Sequence, residues 1–491
     1  MKPQPVADWL AATDAQADAA APRYRRLYEA LRGAVLEHRL PAGARLPSTR
    51  ALAEELGVSR NTVAAAFDQL LAEGYIESRV GSGSFVADLG AAPAPRQNTV
   101  VAGRRQGLAE RGRRLLAQDV GAAQEILPFV AGIDDYAPFP AKLWQRLANR
   151  YWREGRTDLF EFAHDGGHLP LRRAIARHIG VARGARVDAE QILVTAGTQH
   201  SIALCAQVLA NAGDIAWVED PGYWAARKAL AAADLRLRPV RVDAQGLAPQ
   251  RADRSARPRL IYVTPSHQYP TSAVMSLARR RQLLDYAAAS GAWILEDDYD
   301  SEFRYRGRPL GSLQGLDAHG CVIYLGTFSK SLYPGIKLAY MAVPPAIAAD
   351  FRAALYDLQR PGQLMLQATL ADFIEQGHYA THVRRVRQVW GERRDILART
   401  LRPLLGRAAT LTREESGLHL LIELPAGAND VALAALVAGE GMTVRPLSSY
   451  YLGEARRKGL LVGYAYVPTH EIARHARRLG EVVKRGLRSY G

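Results

Sequence analysis

The sequence predicts a multidomain protein in which a small, mainly helical module precedes a much larger α/β module. Between about residues 24 and 87, helical patterns are dense and then give way to short strands. From residue 127 onward, apolar strand segments alternate with helical segments over more than 200 residues, which is typical of a parallel sheet covered by helices. A chain of 491 residues is long enough for two or three domains with their own cores.

The composition limits the partners and the covalent framework that we expect. The net charge of +15 and the sequence pI of about 9.9 favour a polyanionic partner such as nucleic acid, although an arginine-rich surface without any partner is the alternative. Cys205 and Cys321 lie in apolar runs, so we expect neither a disulfide framework nor a metal site. Because the sequence has no long apolar run and no signal-peptide h-region at its start, we expect a soluble, cytoplasmic protein without membrane contact.

Residues 46–63 predict two helices joined by a tight turn. Ser48 can cap the first helix, Gly57 stands where a left-handed residue ends it, and Ser59 can cap the second. The apolar positions are Leu52 and Leu56 on the first helix and Val63, Phe67, Leu70 and Leu71 on the second. The segment 74–86 then predicts a two-stranded wing with a glycine-rich tip.

This arrangement indicates a module that binds double-stranded DNA. Arg60, Asn61 and Thr62 lie at the exposed start of the second helix, where such motifs contact base edges and phosphates. Arg79, in the predicted wing, would lie beside the minor groove or the DNA backbone. The alternative is a helix pair that never contacts DNA, but the wing and the basic charge favour the DNA interpretation.

Each strand candidate of the larger module is followed by polar or glycine-containing residues. Doubly wound sheets bind ligands at the carboxyl ends of their strands, so we expect these residues to meet in one site. The turn 195–199 opens a helix and offers backbone N–H groups to a phosphate. The strand candidates are 191–194, 215–218, 259–263, 293–295 and 322–325.

A phosphate-binding turn, an aromatic residue, a carboxylate and a lysine on successive strand ends predict a site for pyridoxal 5′-phosphate. Lys330 follows a buried strand, and its amine can form a Schiff base, which an arginine cannot. Taken alone, each signal has a structural alternative: Asp297 or Asp298 could cap the next segment, and a lysine at a strand end is often structural. The order of these residues along one sheet is what supports the prediction.

Four further segments lack a clear chemical signature. Trp144, Tyr151 and Trp152 have helical spacing and are interpreted as core, and the arginines of 384–394 as the solvated face of a long helix. His164 and His168 flank a glycine pair, where surface or packing roles are more common than a role in the pocket. His267 is notable for its position after a predicted strand.

Residues 24–87, including Gly43–Ser48, resemble the winged helix-turn-helix of the GntR family. This resemblance implies that Arg45, Arg50 and Arg60 contact bases or backbone. The complete set of expected DNA-contacting residues is Arg45, Ser48, Arg50, Ser59, Arg60, Asn61, Thr62, Arg79, Gly81 and Gly83.

Residues 127–490 resemble the fold-type I, class I aminotransferases, and the whole chain resembles the MocR/GabR-type transcriptional regulators. The resemblance implies that Lys330 is the catalytic residue, which holds the cofactor as a Schiff base. Asp297 would pair with the pyridine nitrogen, Tyr299 would donate to the phenolic oxygen and Tyr223 would stack on the ring. The remaining expected cofactor residues are Gly197, Thr198, Ser329 and Lys337 around the phosphate, and Tyr269 beside the ring.

Several positions depart from the aminotransferase pattern. Lys337 stands where the enzymes usually have arginine, Tyr269 replaces an asparagine, Ser272 replaces a glycine, and Asp297 and Tyr299 are one residue closer than usual. Residues 460–465 contain no arginine to bind a substrate carboxylate; the regulator branch implies that Arg445 takes that role for an effector. These departures leave open whether any aminotransferase turnover is retained.

The expected domains are a flexible arm at residues 1–22, the winged helix-turn-helix at 23–88, a linker at 89–124 and the aminotransferase-like domain at 125–491. The large subdomain would span about 160–365, and the small one about 366–491 together with 125–159. We expect a homodimeric regulator whose promoter binding responds to pyridoxal 5′-phosphate or to a small amino acid or amine. The alternatives are an active aminotransferase that carries a DNA-binding domain, and a DNA-binding protein whose second domain binds no cofactor.

Overall fold

The computed structural model describes residues 22–79, 82–89, 107–116, 126–307, 310–412 and 415–490. Its internal contacts divide the chain into two compact units, Met1–Gly107 and Leu108–Gly491.

The first unit contains three helices followed by a hairpin: α1 Arg23–Leu36, α2 Thr49–Glu55, α3 Arg60–Ala72, β1 Ile76–Arg79 and β2 Gly83–Val86. Both predicted helix caps are present, because the hydroxyl oxygens of Ser48 and Ser59 each accept a hydrogen bond of 3.1 Å from a backbone N–H three residues later. Gly57 has φ +62° and makes the left-handed turn between α2 and α3.

The core of this unit follows the predicted apolar faces with one exception. Leu52, Val63, Phe67 and Leu70 are buried together. The prediction for Leu71 was wrong, since this side chain is 45% exposed. Successive residues of a helix are rotated by about 100° around its axis. The Leu71 side chain therefore points away from the buried face, which consists of Val63, Ala66, Phe67 and Leu70.

The second unit is built around an eight-stranded sheet in the order β3-β10-β9-β8-β7-β4-β5-β6. Four neighbouring pairs, β9-β8, β8-β7, β7-β4 and β4-β5, are parallel, whereas β10 is antiparallel to both of its neighbours and β6 is antiparallel to β5. The strands are β3 Ile192–Thr195, β4 Ile215–Asp220, β5 Arg236–Asp243, β6 Gly246–Leu247, β7 Leu260–Val263, β8 Trp293–Asp298, β9 Val322–Thr327 and β10 Ala339–Ala342.

All five strands predicted for this sheet are present, and β5, β6 and β10 are additional. The arginine-rich β5 is partly exposed and therefore lacks the continuous apolar run of a buried parallel strand. The associated helices are α4 Glu110–Leu116, α5 Ala141–Glu154, α6 Leu169–Arg183, α7 Thr198–Leu209, α8 Trp224–Ala232, α9 Arg251–Ser255, α10 Leu277–Ser290, α11 Pro345–Gln359 and α12 Leu364–Glu375.

The strand β9 leads directly to Lys330 and is buried along its whole length. Gly326 lies opposite Tyr340 of β10, and a Cβ atom at position 326 would lie 2.3 Å from the Tyr340 ring. The glycine in this strand is therefore required by the close packing of the neighbouring tyrosine.

The remaining residues form a smaller lobe around a four-stranded antiparallel sheet in the order β11-β12-β14-β13. The elements are α13 His378–Leu405, β11 Thr410–Leu411, β12 His419–Leu424, α14 Asp430–Gly439, β13 Arg445–Pro446, β14 Lys458–Gly463 and α15 Thr469–Tyr490.

Two interpretations from the sequence were wrong, one of an expected core residue and one of arginines that were expected to be solvated. Trp152 is not a core residue, because 61% of it is exposed. Arg393 and Arg394 are not solvated: the Arg393 guanidinium donates to the carbonyl of Ala465 at 2.5 Å, and that of Arg394 lies 4.3 Å from the centre of the Tyr305 ring. Buried partners thus determine the environment of these two arginines, and helical periodicity could not show this.

In the part of the chain that is described, none of the helices has both the length and the apolar character needed to cross a membrane. Across the same residues, no group of three His, Cys, Asp or Glu side chains is arranged to hold a metal ion.

Candidate functional site

A cavity of about 650 Å³ opens at the carboxyl ends of the central strands and at the start of α7. It brings together all of the residues that the sequence predicted for cofactor and effector binding. These are Gly197, Thr198, Tyr223, Tyr269, Asp297, Tyr299, Ser329, Lys330, Lys337 and Arg445. Their individual roles remain predictions.

Lys330 lies in the turn that follows β9 and points toward the segment that precedes α5. Its Nζ donates a hydrogen bond of 2.7 Å to the carbonyl oxygen of Gly132. The turn itself is fixed by a hydrogen bond of 3.1 Å from the backbone N–H of Ser329 to the hydroxyl oxygen of Thr327. The amine is therefore placed at the cavity wall and is bound there by a neutral acceptor.

Asp297, near the end of β8, is a buried carboxylate with one satisfied oxygen. Its Oδ2 accepts a hydrogen bond of 2.6 Å from the hydroxyl of Tyr262. Its Oδ1 is buried and has no hydrogen-bond partner among the described residues. Burial raises the pKa of Asp297 to about 7, and the nearby charge of Asp298 adds to this effect. An N–H donor placed at Oδ1 would stabilise the ionised carboxylate, so this site fits a protonated pyridine nitrogen.

The start of α7, which also lines the cavity, fits a phosphate. Gly197 has φ +137°, a conformation that favours glycine, and it is the residue before the first turn of α7. The first turn of a helix presents unpaired backbone N–H groups and the positive end of the helix dipole. Ser329 and Lys337 line the same cavity and add a hydroxyl and a cation.

A cluster of tyrosines forms the wall next to Arg445. The hydroxyl oxygens of Tyr269 and Tyr450 are 2.9 Å apart, and the rings of Tyr223 and Tyr269 meet edge-on with their centres separated by 5.8 Å. Burial raises the pKa of Tyr450 well above its usual value, while the cation of Arg445 acts in the opposite direction. Arg445 therefore lies against polar hydroxyls at the edge of the cavity.

Sequence reasoning missed several residues that line the cavity, including Tyr262 and His419. Tyr262 lies within an apolar strand. The sequence signal that could have identified it was a hydroxyl-bearing residue among apolar neighbours. His419 comes from the smaller lobe, more than 150 residues after Tyr262 along the chain, and no local pattern marks it. Burial lowers the pKa of His419 to about 3, so its ring is neutral.

Ser272 occupies a position that favours glycine. It has φ +60° and is buried, and its hydroxyl has no hydrogen-bond partner among the described residues. A left-handed backbone is strained for a serine, whereas the glycine that the resemblance to the aminotransferases leads us to expect here would adopt it without strain.

Most of the residues predicted to contact DNA lie on the surface of the first unit. Arg45, Arg50, Arg60 and Asn61 are exposed. Ser48 and Ser59 act as helix caps, and the hydroxyl of Thr62 lies 2.8 Å from that of Ser59.

The predicted wing is the β1–β2 hairpin. Arg79 is held within it, because its Nε donates to Glu77 at 3.1 Å and its guanidinium lies 4.6 Å from the centre of the Phe85 ring. Gly83 has φ +103° at the start of β2. Gly81 lies outside the described residues.

Comparison with known families matches the two modules separately. Residues 23–86 match the family described as "Bacterial regulatory proteins, gntR family", and residues 139–479 match "Aminotransferase class I and II".

Relatives of similar length contain both modules. The chain is 39% identical to the probable rhizopine catabolism regulatory protein MocR of Rhizobium meliloti, over 91% of each chain. It is 32% identical to the pyridoxine biosynthesis transcriptional regulator PdxR of Corynebacterium glutamicum, over 89% of this chain and 91% of the relative. Among solved structures, it is similar to the α-aminoadipate aminotransferase LysN of Thermus thermophilus, determined with N-(5′-phosphopyridoxyl)-L-leucine. That similarity has a TM-score of 0.67 and 27% identity, and it covers 78% of this chain and 96% of LysN.

Proposed function

Because the chain belongs to the MocR-type branch of the GntR family of bacterial regulatory proteins, we propose that it is a transcriptional regulator that binds promoter DNA and pyridoxal 5′-phosphate. The observation that carries the cofactor assignment is the unpartnered Oδ1 of buried Asp297 in the same cavity as the Lys330 amine. The cavity and the proposed DNA-contacting helix α3 belong to one polypeptide, which supports control of transcription by a small molecule.

In this proposal, each cavity residue has a defined task toward the cofactor. Lys330 binds it covalently, Asp297 accepts a hydrogen bond from its ring nitrogen, and Tyr299 donates to its phenolic oxygen. Tyr223 and Tyr269 pack beside the ring, whereas Gly197, Thr198, Ser329 and Lys337 bind the phosphate. When bound, the cofactor supplies an aldehyde carbon that reacts reversibly with amines.

The alternative function is an aminotransferase that carries a DNA-binding domain. Two observations favour the regulator. Relatives that match about nine tenths of this chain, such as MocR and PdxR, are named as regulators. In addition, β14 contains no arginine that could bind a substrate carboxylate. We therefore propose that the domain acts mainly as a sensor.

We propose Arg445 as the residue that recognises the effector's carboxylate. It lines the cavity beside Tyr269 and Tyr450, on the side contributed by the smaller lobe. A guanidinium can form two parallel hydrogen bonds with a carboxylate, which suits a small amino acid such as γ-aminobutyrate. Pyridoxal 5′-phosphate itself is the other effector that we consider.

We also propose that the protein is a homodimer. Three aromatic side chains, Trp152, Phe160 and Phe162, are between 48% and 61% exposed, and the Trp152 and Phe160 rings lie 5.8 Å apart. Exposed aromatic clusters of this kind are typical of protein interfaces. Two winged modules in one dimer would contact paired half-sites on DNA.

The first prediction concerns the covalent lysine. Purified protein supplied with pyridoxal 5′-phosphate is expected to absorb visible light through the bound cofactor, and Lys330→Ala is expected to lose this absorption band because no other amine occupies its position. Lys142→Ala, an exposed lysine on α5, is the matched control and should retain the band. A wild-type protein that remains colourless with added cofactor would rule out the proposed cofactor function.

The second prediction concerns Arg445. Replacement by alanine should increase the γ-aminobutyrate concentration needed for half of the spectral change by about 10- to 100-fold, since a hydrogen bond to a charged group contributes about 1.5–3 kcal/mol. The response to n-butylamine, which has no carboxylate, should stay the same. An equal loss for both amines would contradict a specific role in carboxylate binding.

The third prediction concerns assembly. Light scattering should give about twice the chain mass of 53.7 kDa. A Trp152→Glu, Phe160→Glu double variant should shift the mass toward that of one chain, because charges would replace the exposed aromatic cluster. A wild-type mass of one chain at micromolar concentration would contradict the dimer.

The fourth prediction concerns DNA. Arg60→Ala should weaken binding to the promoter next to this gene by about 5- to 100-fold, as is typical when a side chain that contacts a base edge is lost. Arg25→Ala on α1, where the arginine pairs with Glu29 at 3.2 Å, is the matched control and should bind normally. Gel-shift titrations at one fixed salt concentration compare the variants, and unchanged affinity for Arg60→Ala would exclude α3 as the recognition helix.

A further inference from the structure

His267 links the cofactor cavity to a buried acid. Its side chain and that of Asp300 are each only 2% exposed. The Nδ1 atom of His267 lies 2.7 Å from Oδ2 of Asp300 and 2.9 Å from the hydroxyl oxygen of Tyr299. Tyr299 lines the cavity, whereas His267 and Asp300 lie behind it.

The two short contacts limit how the protons are shared. When Asp300 is ionised it only accepts hydrogen bonds, so Nδ1 of His267 carries the proton that faces Asp300 at 2.7 Å. The same N–H group also faces the oxygen of Tyr299, which can accept it. Asp300 is also close enough to accept the Tyr299 hydroxyl. By donating to Asp300, His267 leaves that hydroxyl available to donate into the cavity that Tyr299 lines.

Packing holds the imidazole in this orientation. Gly417 has φ +96°, and a Cβ atom at this position would lie 2.1 Å from Cε1 of His267. The ring centre of His419, from β12, lies 5.6 Å from that of His267. The ring therefore has little room to rotate, and its contacts with Tyr299 and Asp300 are fixed by the fold.

Several titratable groups face His267, Tyr299 and Asp300 from neighbouring elements. His419 faces His267, while Asp297, Asp300 and Tyr269 face Tyr299. The carboxylates of Asp298 and Glu302 face Asp300, and so does that of Asp134. Burial raises the pKa of Asp300, and the His267 ring acts in the opposite direction. Burial likewise raises the pKa of Tyr299 well above its usual value, with Asp300 adding to the effect.

We propose that His267 is a positioning residue: anchored by Asp300, it orients the Tyr299 hydroxyl so that Tyr299 donates its hydrogen bond to the phenolic oxygen of the bound cofactor. This inference rests on the proposed cofactor function and adds a residue that acts through Tyr299 without contacting the cofactor.

The consequence of losing His267 follows from the same contacts. Asp300 would lose the donor at 2.7 Å, and the Tyr299 hydroxyl is the nearby group that can replace it. The phenolic oxygen of the cofactor would then lose its donor and hold its negative charge less well. The cofactor's covalently bound nitrogen would in turn hold a proton to higher pH.

The experiment measures the pH midpoint of the visible spectral change in cofactor-loaded protein. His267→Leu should raise this midpoint by about 0.5–1 pH unit, which corresponds to the loss of one hydrogen bond. Tyr299→Phe should shift it in the same direction. In the Tyr299→Phe background, His267→Leu should cause no further shift, because His267 acts through the Tyr299 hydroxyl.

Two conservative variants distinguish a positioning role of His267 from a general loss of protein stability. The amide nitrogen of His267→Asn can replace Nδ1 and should restore a near-normal midpoint, whereas His267→Gln places its amide nearer to Nε2 and should behave like His267→Leu. His164→Asn is the matched control, since His164 stacks on Tyr356 with ring centres 4.6 Å apart and does not line the cavity.

The outcomes separate this inference from the proposed function. A colourless wild type overturns both. A coloured wild type whose midpoint is unchanged by His267→Leu and His267→Gln overturns only the role of His267. An additive shift in the Tyr299→Phe background would also overturn it, because His267 would then act directly on the cofactor or through another group.

Discussion

The site depends on how four buried acids at the end of β8 are neutralised. Glu296, Asp297, Asp298 and Asp300 lie within five residues, and each is 5% exposed or less. Burying an ionised carboxylate without donors is costly, so such a cluster persists only if each member has a partner or is protonated. The partners of these acids organise the centre of the second unit.

The four acids differ in their hydrogen-bond partners. Glu296 accepts the backbone N–H groups of Leu313 and Gln314 at 2.7 and 2.8 Å, and Asp298 accepts from Arg183 and Tyr324 at 2.6 and 2.5 Å. Asp300 is held by His267. Asp297 alone among the four keeps a buried carboxylate oxygen without a partner in the described residues, and its residue lines the cavity where the cofactor is proposed to bind. Glu296, Asp298 and Asp300 thus find their partners within the protein, whereas Asp297 is available to a ligand.

Sequence reasoning predicted the parts of the molecule that are encoded locally. The caps at Ser48 and Ser59, the left-handed Gly57 and the buried strand before Lys330 each depend on a few adjacent residues. The cavity residues that follow the parallel strands were predictable because such strands bring their carboxyl ends to one edge of the sheet, whereas Lys337 and Arg445 were expected from the family resemblance. What was missed depends on contacts between distant segments: Tyr262 reaches Asp297 across neighbouring strands, and His419 arrives from the smaller lobe. The burial of Arg393 and the exposure of Trp152 likewise depend on what packs against each helix, which periodicity does not report.

The placement of the proposed ligand contacts bears on how binding could influence transcription. Asp297 lies on the large sheet and Lys330 in the turn after its strand β9, whereas Arg445 and His419 belong to the four-stranded sheet of the smaller lobe. The cofactor alone would engage mainly the large sheet. An effector that carries both an amine and a carboxylate would connect Lys330's side of the cavity to Arg445's side. Such a ligand can favour one arrangement of the two lobes over another, and only a difference in affinity between arrangements can shift their populations. An amine without a carboxylate would occupy the same cavity yet lack the contact that distinguishes those arrangements, so occupancy and response are separable properties of this site.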